Sequence, residues 1–408
     1  MSQKAFPAHP TPPQRDYAYY CTALREQRLP AAFIDLESLD TNLASLGARA
    51  AGTPIRLVTK SIRSVAILRH VLDTAPFVRG LLCYSPAEAA WLADSGFDDI
   101  VVAYPSVEPM ELRAVAAQIR AGRSITLMVD SATQVHMIDA LARAENVVFP
   151  LCIDLDMSSS FPGIYFGVRR SPVNNAASAV ALASVIASSG GVQLDGLMGY
   201  EGQIAGLMDA VPGERIRSTI IRYLKRKSAR EVLARRQAVV RALAVAGHTL
   251  RFVNGGGTGS LELTRLDTSV TELAAGSGLY APTLFDHYAV FRATPAAGFA
   301  VPITRVPKPG VVTCSGGGYT ASGPIGKNRL PQPWLPEGCA LIDNEGAGEV
   351  QTPILHPATV ALKIGDPMLF RHAKAGELCE RFNELLLIRY GTVVDRVATY
   401  RGMGKSFF

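Results

Sequence analysis

The feature that most constrains this chain is one pattern repeated eight times, a short apolar, β-branched run followed by a helical period. The first unit is "PIRLVTK" before "RSVAILRHVLD", and the second is "VRGLLCYS" before "PAEAAWLADSG". "DIVVAYPS", "SITLMVDS", "VVFPLCIDLDM", "VQLDGLMGYEG", "LRFVNGGG" and "VTELAAGSG" continue the series. Strands that alternate with helices pair in parallel, and eight of them close a barrel. The expected fold is therefore α/β, a (β/α)8 TIM-type barrel. An open doubly wound sheet competes less well, because no early GxGxxG follows a first strand and the glycine-rich turn comes late.

After about residue 284 the texture changes to short β-rich runs broken by Gly, Pro and Asn, such as "GVVTCSGGGYTASG" and "ERFNELLLIRYGTVVDRVATYRG". This predicts a C-terminal, mostly antiparallel β domain. The expected divisions are an N-terminal arm over 1–30, with four prolines in its first twenty residues, a barrel over 31–283 and a β domain over 284–408.

The N-terminal residues lack the apolar core of a secretory signal, which points to the cytoplasm. No apolar stretch reaches the roughly 20 residues a membrane span needs. Six scattered cysteines without a CxxC pair read as reduced thiols. The net charge of +6 is concentrated between Arg215 and Arg236, where nine Lys or Arg face Glu231 alone. Ile216, Ile220, Ile221, Leu224 and Val232 recur there at near-helical spacing, which predicts an amphipathic helix with a solvated basic face. No interleaved aromatics suggest nucleic acid as a partner.

Catalytic groups in such barrels lie at the carboxyl ends of the strands, and phosphates often sit on the loops after the seventh and eighth. Lys60 ends the first strand. "NGGGTGS", Asn254 to Ser260, follows the seventh. Its glycines let backbone N–H groups approach an anion, and Thr258 and Ser260 add hydroxyls. Lys60 alone reads as a surface lysine and the loop alone as a tight turn. Together they point to pyridoxal 5'-phosphate, whose aldehyde needs an amine and whose ring takes up electrons. Arg56 and Arg63, close in sequence, are expected to favour the neutral amine.

These motifs resemble the fold-type III pyridoxal-phosphate enzymes, the alanine-racemase-like barrels, and within them the D-threonine aldolase and D-serine dehydratase branch. "LPAAFIDLESLDTNLASL" is similar to the branch's entry segment, "IRLVTKS" to its lysine segment, and "SPAEAAWLADSGFDDIVVAYP" to its EAxxLxxxGxxDI stretch. "GLMGYEGQ", "NGGGTGS" and "TELAAGSGLY" are similar to its tyrosine, phosphate and closing segments.

The resemblance implies that Lys60 forms the Schiff base, that Tyr200 lies beside the cofactor, and that Asn254, Gly256, Gly257 and Thr258 hold its phosphate with Tyr280 nearby. It implies a lyase that cleaves a D-β-hydroxy amino acid to glycine, or another amino acid, plus an aldehyde. A dehydratase and a racemase are the alternatives, and a cofactor carrier is the non-catalytic one. It also implies a homodimer.

Three departures from the branch are visible. Its C-terminal metal pair, His-x-Cys or His-x-Asp, corresponds to His372 and Lys374. Its arginine at the cofactor's phenolate corresponds to Tyr165, with Arg169 or Arg170 as substitutes. A histidine after its tyrosine–glycine pair corresponds to Gln203. His372 and Lys374 are the expected catalytic groups from the β domain, and Glu377 and Cys379 are the residues left to join His372 around a divalent metal.

Overall fold

The computed structural model describes residues 15–407. The Pro-rich stretch of the arm, residues 1–14, lies outside the described residues. Eight parallel strands form a closed barrel, in chain order Ile55–Val58, Val78–Cys83, Ile100–Val102, Ile125–Val129, Phe149–Asp154, Val192–Gly199, Phe252–Gly255 and Glu272–Ala275. These are the eight runs read from the sequence. Closure is made by the eighth strand on the first, Leu273 opposite Ile55. Strands such as Ile125–Val129 are buried at every position, because helices cover the outside while side chains fill the inside.

The helices start where the sequence supplies caps. Ser85 accepts from the Glu88 N–H at 3.2 Å, with Pro86 in the first turn, and Ser131 accepts from the Gln134 N–H at 3.4 Å.

Inside the barrel Leu82, Val101, Ala103, Met128, Cys152, Met198, Phe252 and Ala274 form one apolar layer. Gly196 is required here, since a Cβ would overlap the Phe252 ring. Towards the amino ends of the strands lies a charged floor. Arg56, 1% exposed, donates to Glu272 at 2.7 and 2.8 Å and to the Asp99 carbonyl at 2.6 Å. Arg251 bridges Asp195 and Asp99 beside it. Arg56 is thus spent on the floor rather than on Lys60.

The barrel unit comprises Asp40–Thr294, Lys374–Asn383 and the described residues from Ala398 onward. The other unit takes the described residues up to Leu39, Pro295–Ala373 and Glu384–Val397, and is a mostly antiparallel sheet. Ala31–Asp35, placed with the barrel by the sequence reading, pairs antiparallel with Ala297–Lys308 and parallel with Glu384–Arg389. An apolar run does not name its sheet, and the barrel closes without this one. Phe33 packs with Tyr20, Leu369 and Ile388 in that unit's core.

The helix Arg215–Val245 carries the basic cluster. Arg215, Arg217, Arg226, Lys227 and Arg230 are exposed as expected, but Lys225 and Arg236 are buried. The buried stripe runs Ser218, Lys225, Ser228, Val232, Arg236, Val239, Leu243, which leaves Ile216 and Ile220 exposed. Lys225 reaches Asp209 at 3.0 Å, and burial lowers its pKa. Among the described residues all six cysteines are free, and no helix is long and apolar enough to cross a membrane.

The last described segment, residues 398–407, packs within the barrel unit. Tyr400 stacks edge-on against Trp91 at 4.9 Å and donates to Glu88 at 3.0 Å, while the Tyr84 N–H donates to the other Glu88 oxygen at 2.8 Å. Glu88 is fully buried, and that burial pushes its carboxyl up to about 7 against these hydrogen bonds. A carboxyl raised in the folded state binds more protons there than when unfolded. Its contribution to stability is present below the unfolded value and is lost as pH rises through about 7. Urea unfolding of Glu88→Gln against the parent is expected to show the parent losing ~3 kcal/mol relative to the variant across that window.

Candidate active site at the carboxyl ends of the barrel strands

Lys60 sits in a single 3₁₀ turn, Thr59–Ser61, directly after the first strand. The turn is anchored from below. Thr59 Oγ1 donates to the Leu82 carbonyl at 3.1 Å, and Arg63 Nε donates to the Lys60 carbonyl at 3.1 Å. Arg63, itself in a left-handed conformation at φ 49°, pairs with Glu380. At Gly376 the chain passes so close that a Cβ would overlap the Lys60 carbonyl oxygen. The segment that begins at Lys374 therefore packs on the lysine turn. With its backbone fixed, Lys60 projects an exposed side chain, and its Nζ donates to Tyr104 Oη at 2.8 Å.

Tyr104 follows the third strand. Arg170 stands over its ring at 5.4 Å and over the Tyr200 ring at the same distance. Burial alone would raise the Tyr104 phenol, but the charge and hydrogen bond of Lys60 together with Arg170 outweigh it, and the phenol lies below its ordinary value. Asp154 ends the fifth strand. Burial, with Asp130 and Asp156 nearby, pushes it up to about 7 against the pull of Arg170. Tyr200, after the sixth strand, is pushed up to about 12 by burial.

The glycine loop is held from behind. Gly256 takes φ +82°, and its N–H donates to Glu201 at 2.8 Å. Glu201 is paired with Arg236, which is 1% exposed and also binds Asp267 at 2.8 Å and the Gly199 carbonyl at 3.0 Å. Gly257 packs on Tyr200, where a Cβ would come within 3.1 Å of the ring. Thr258 Oγ1 accepts from the Gly278 N–H at 3.2 Å, which joins this loop to the one after the eighth strand. Among the described residues the N–H groups of Thr258 and Gly259 have no protein acceptor.

The barrel thus gathers Lys60, Tyr200, Gly257 and Thr258 at its mouth, and it turns other expected residues elsewhere. Asn254 donates to Glu272 at 2.9 Å and is buried in the floor, because alternate strand residues point inward. Tyr280 is fully buried and donates to the Ile62 carbonyl at 3.0 Å, a post beneath the lysine turn. Arg169 stacks on Tyr165 at 4.2 Å, so it is Arg170 that faces the tyrosines of the mouth. Gln203 is buried on the Met157 carbonyl and Ser228. His372 belongs to the other unit, where burial and then Arg371 lower it to about 3, leaving a neutral imidazole.

Among the described residues the expected metal ligands do not fit a divalent metal. Among the described residues no three His, Cys, Asp or Glu side chains gather to hold one. Cys379 directs its thiol to the Ile62 carbonyl at 3.3 Å, and burial pushes it up to about 12, so it stays protonated. Lys374, two residues after His372, is a cation when protonated.

Tyr104, Asp154, Glu201 and Arg236 are the residues that sequence reasoning missed. Strand-end position marks Tyr104 and Asp154. Nothing in a basic helix marks Arg236 as the buried one. Replacing it with methionine leaves Glu201 and Asp267 buried without a cation. Arg236→Met is expected to lower the unfolding free energy by about 3–5 kcal/mol in urea titrations, and Arg236→Lys by less.

Known proteins share this fold. A 3-hydroxy-D-aspartate aldolase of Paracoccus denitrificans (strain Pd 1222) is 25% identical over 254 residues, 62% of this chain and 60% of that one. A D-threonine aldolase of an Arthrobacter species is 25% identical over 248 residues, 61% of this chain and 60% of that one. The matched region spans about 60% of the length of these relatives. In three dimensions the D-threonine aldolase of Filomicrobium marinum superposes with a TM-score of 0.77 at 19% identity, covering 92% of this chain and 95% of that one. The D-threo-3-hydroxyaspartate dehydratase of Delftia sp. HT23 gives 0.72 at 21%, covering 92% and 98%. Both show the same fold. The family model for the alanine racemase N-terminal domain matches residues 34–283, and the chain belongs to that family.

Proposed function

We propose that this chain is a pyridoxal-phosphate-dependent lyase, an aldolase that cleaves a D-β-hydroxy amino acid to glycine, or another amino acid, plus an aldehyde. One observation carries the reading. An exposed lysine at the end of the first strand stands over the same barrel mouth as an anion loop whose Thr258 and Gly259 N–H groups have no protein acceptor among the described residues. The residues fit the cofactor. Lys60 would bind its aldehyde carbon, the loop at Gly257 and Thr258 its phosphate, and Tyr200 and Arg170 would flank its ring. When bound, the cofactor supplies an electron sink conjugated to the substrate's nitrogen.

The chain's own residues supply the rest. Lys60 must give up a proton at Nζ before it could bind the cofactor's aldehyde, because only the neutral amine is a nucleophile. Asp154, held near neutrality, is a carboxylate of the mouth suited to accept a proton from a substrate hydroxyl. Lys374 opens the segment that packs on the lysine turn, and in this reading its ammonium steadies the substrate's β-oxygen. No step is assigned to a metal or to His372. The homodimer and the cytoplasmic location belong to the same proposal, on the family likeness and on the N-terminal sequence.

The relatives' names supply both the substrates and the rival. A D-threo-3-hydroxyaspartate dehydratase of Delftia sp. (strain HT23) is 27% identical over 255 residues. Purified protein is expected to show a visible absorbance band that Lys60→Ala abolishes. Incubation with D-threonine and D-3-hydroxyaspartate is expected to yield glycine and an aldehyde, with turnover kept in a chelator. An oxo acid with ammonia would instead establish the dehydratase, and the enantiomer a racemase.

A further inference from the structure

We propose that Tyr104 is a positioning residue for Lys60, a phenol that trades one proton with the Lys60 amine inside the barrel mouth. This rests on the reading of Lys60 as the cofactor lysine. A lysine that must bind and release an aldehyde alternates between ammonium and neutral amine, and each change needs a partner for the proton. Among the groups at the mouth, Tyr104 is the one placed to be that partner, with its Oη 2.8 Å from Lys60 Nζ.

The geometry holds the pair together from several sides. The lysine backbone is fixed by Thr59 and Arg63, so Nζ has a defined reach. The tyrosine ring is covered by Lys60 and by Arg170, each at 5.4 Å from its centre. Four charged or titratable groups face the Tyr104 phenol: Lys60 after the first strand, Asp154 ending the fifth, Arg170 beyond it, and Tyr200 after the sixth. Two of these are cations that favour a phenolate, Asp154 opposes it, and the balance lowers the phenol's pKa.

The exchange conserves every proton. Phenolate and ammonium become phenol and amine when Nζ gives its proton to Oη, and the reverse returns it. Neither direction draws on solvent, so the amine is released without a net change of charge at the mouth. A tyrosine that merely packed against the lysine would still feel its charge, but it would leave the rate and pH profile of cofactor loading unchanged.

This prediction is tested on the full chain. Eight other tyrosines, Tyr17, Tyr19, Tyr20, Tyr84, Tyr200, Tyr280, Tyr288 and Tyr400, are pushed upward, which clears the spectrum for the early phenol. With the cofactor stripped, so that the Lys60 amine is free, ultraviolet titration is expected to show a phenolate forming below the ordinary tyrosine value, absent in Tyr104→Phe and displaced upward in Lys60→Ala. Pyridoxal 5'-phosphate is then added back across a pH series. Tyr104→Phe, checked to unfold at the parent's temperature, is expected to load about a hundredfold more slowly and to lose the limb of the pH profile that follows the phenol.

A phenol that titrates alike with and without Lys60 overturns the proposal. So does a loading rate and pH profile that Tyr104→Phe leaves unchanged. A visible band that survives in Lys60→Ala overturns the reading of Lys60 as the cofactor lysine and this proposal with it, so the two failures are told apart by the variant in which they occur.

Discussion

Arg236 is the interaction on which the barrel mouth depends. Taking a guanidinium out of water costs several kcal/mol, and only well-placed partners repay it. Here the partners are Glu201 after the sixth strand, Asp267 before the eighth and the Gly199 carbonyl. Glu201 in turn fixes the Gly256 N–H, and Asp267 fixes the turn at Ser269 with bonds of 3.0 and 2.7 Å. One side chain from an outer helix therefore sets the geometry of two consecutive strand ends and of the turn that leads into the eighth strand. An apolar residue of the same volume would fill the space and orient nothing.

The two ends of the barrel use charge in opposite ways. At the floor Arg56 and Arg251 meet Glu272, Asp99 and Asp195 at close range, each cation held between two carboxylates with Asp99 shared, which stiffens the strands. At the mouth Lys60 meets Tyr104 through one hydrogen bond while Arg170 and Asp154 act on the site from farther off, and the Tyr104 phenol is lowered and the Asp154 carboxyl raised. Shifted groups in a concave site are what proton chemistry requires.

The eight strands were legible because buried parallel strands read as continuous apolar runs, with caps such as Ser85 and Ser131 marking the helices between them. Lys60 and the glycine loop were legible from strand order and residue type together. The sheet joined by Ala31–Asp35 was not, since pairing partners lie hundreds of residues away in Ala297–Lys308 and Glu384–Arg389. The direction of Asn254 was missed because the loop's glycines drew it into the phosphate motif, although strand alternation turns it to the floor. Which cations of a basic helix are buried depends on carboxylates elsewhere in the fold, so Arg236 and Lys225 looked like their exposed neighbours. Tyr104 stood in a strand already read as the third and was overlooked for want of a partner nearby in sequence.

The tyrosine that closes the Glu88 site lies far downstream of the eighth strand, after the chain has left the barrel unit for the sheet and returned twice. A ribosome making this protein therefore delivers all eight barrel strands well before it delivers Tyr400. Until that residue emerges, Glu88 has its backbone donor but not its phenol, and Trp91 lacks its edge-on ring. Barrel closure and barrel completion are separate events in time, and the interval between them is set by the length of the β unit encoded in between.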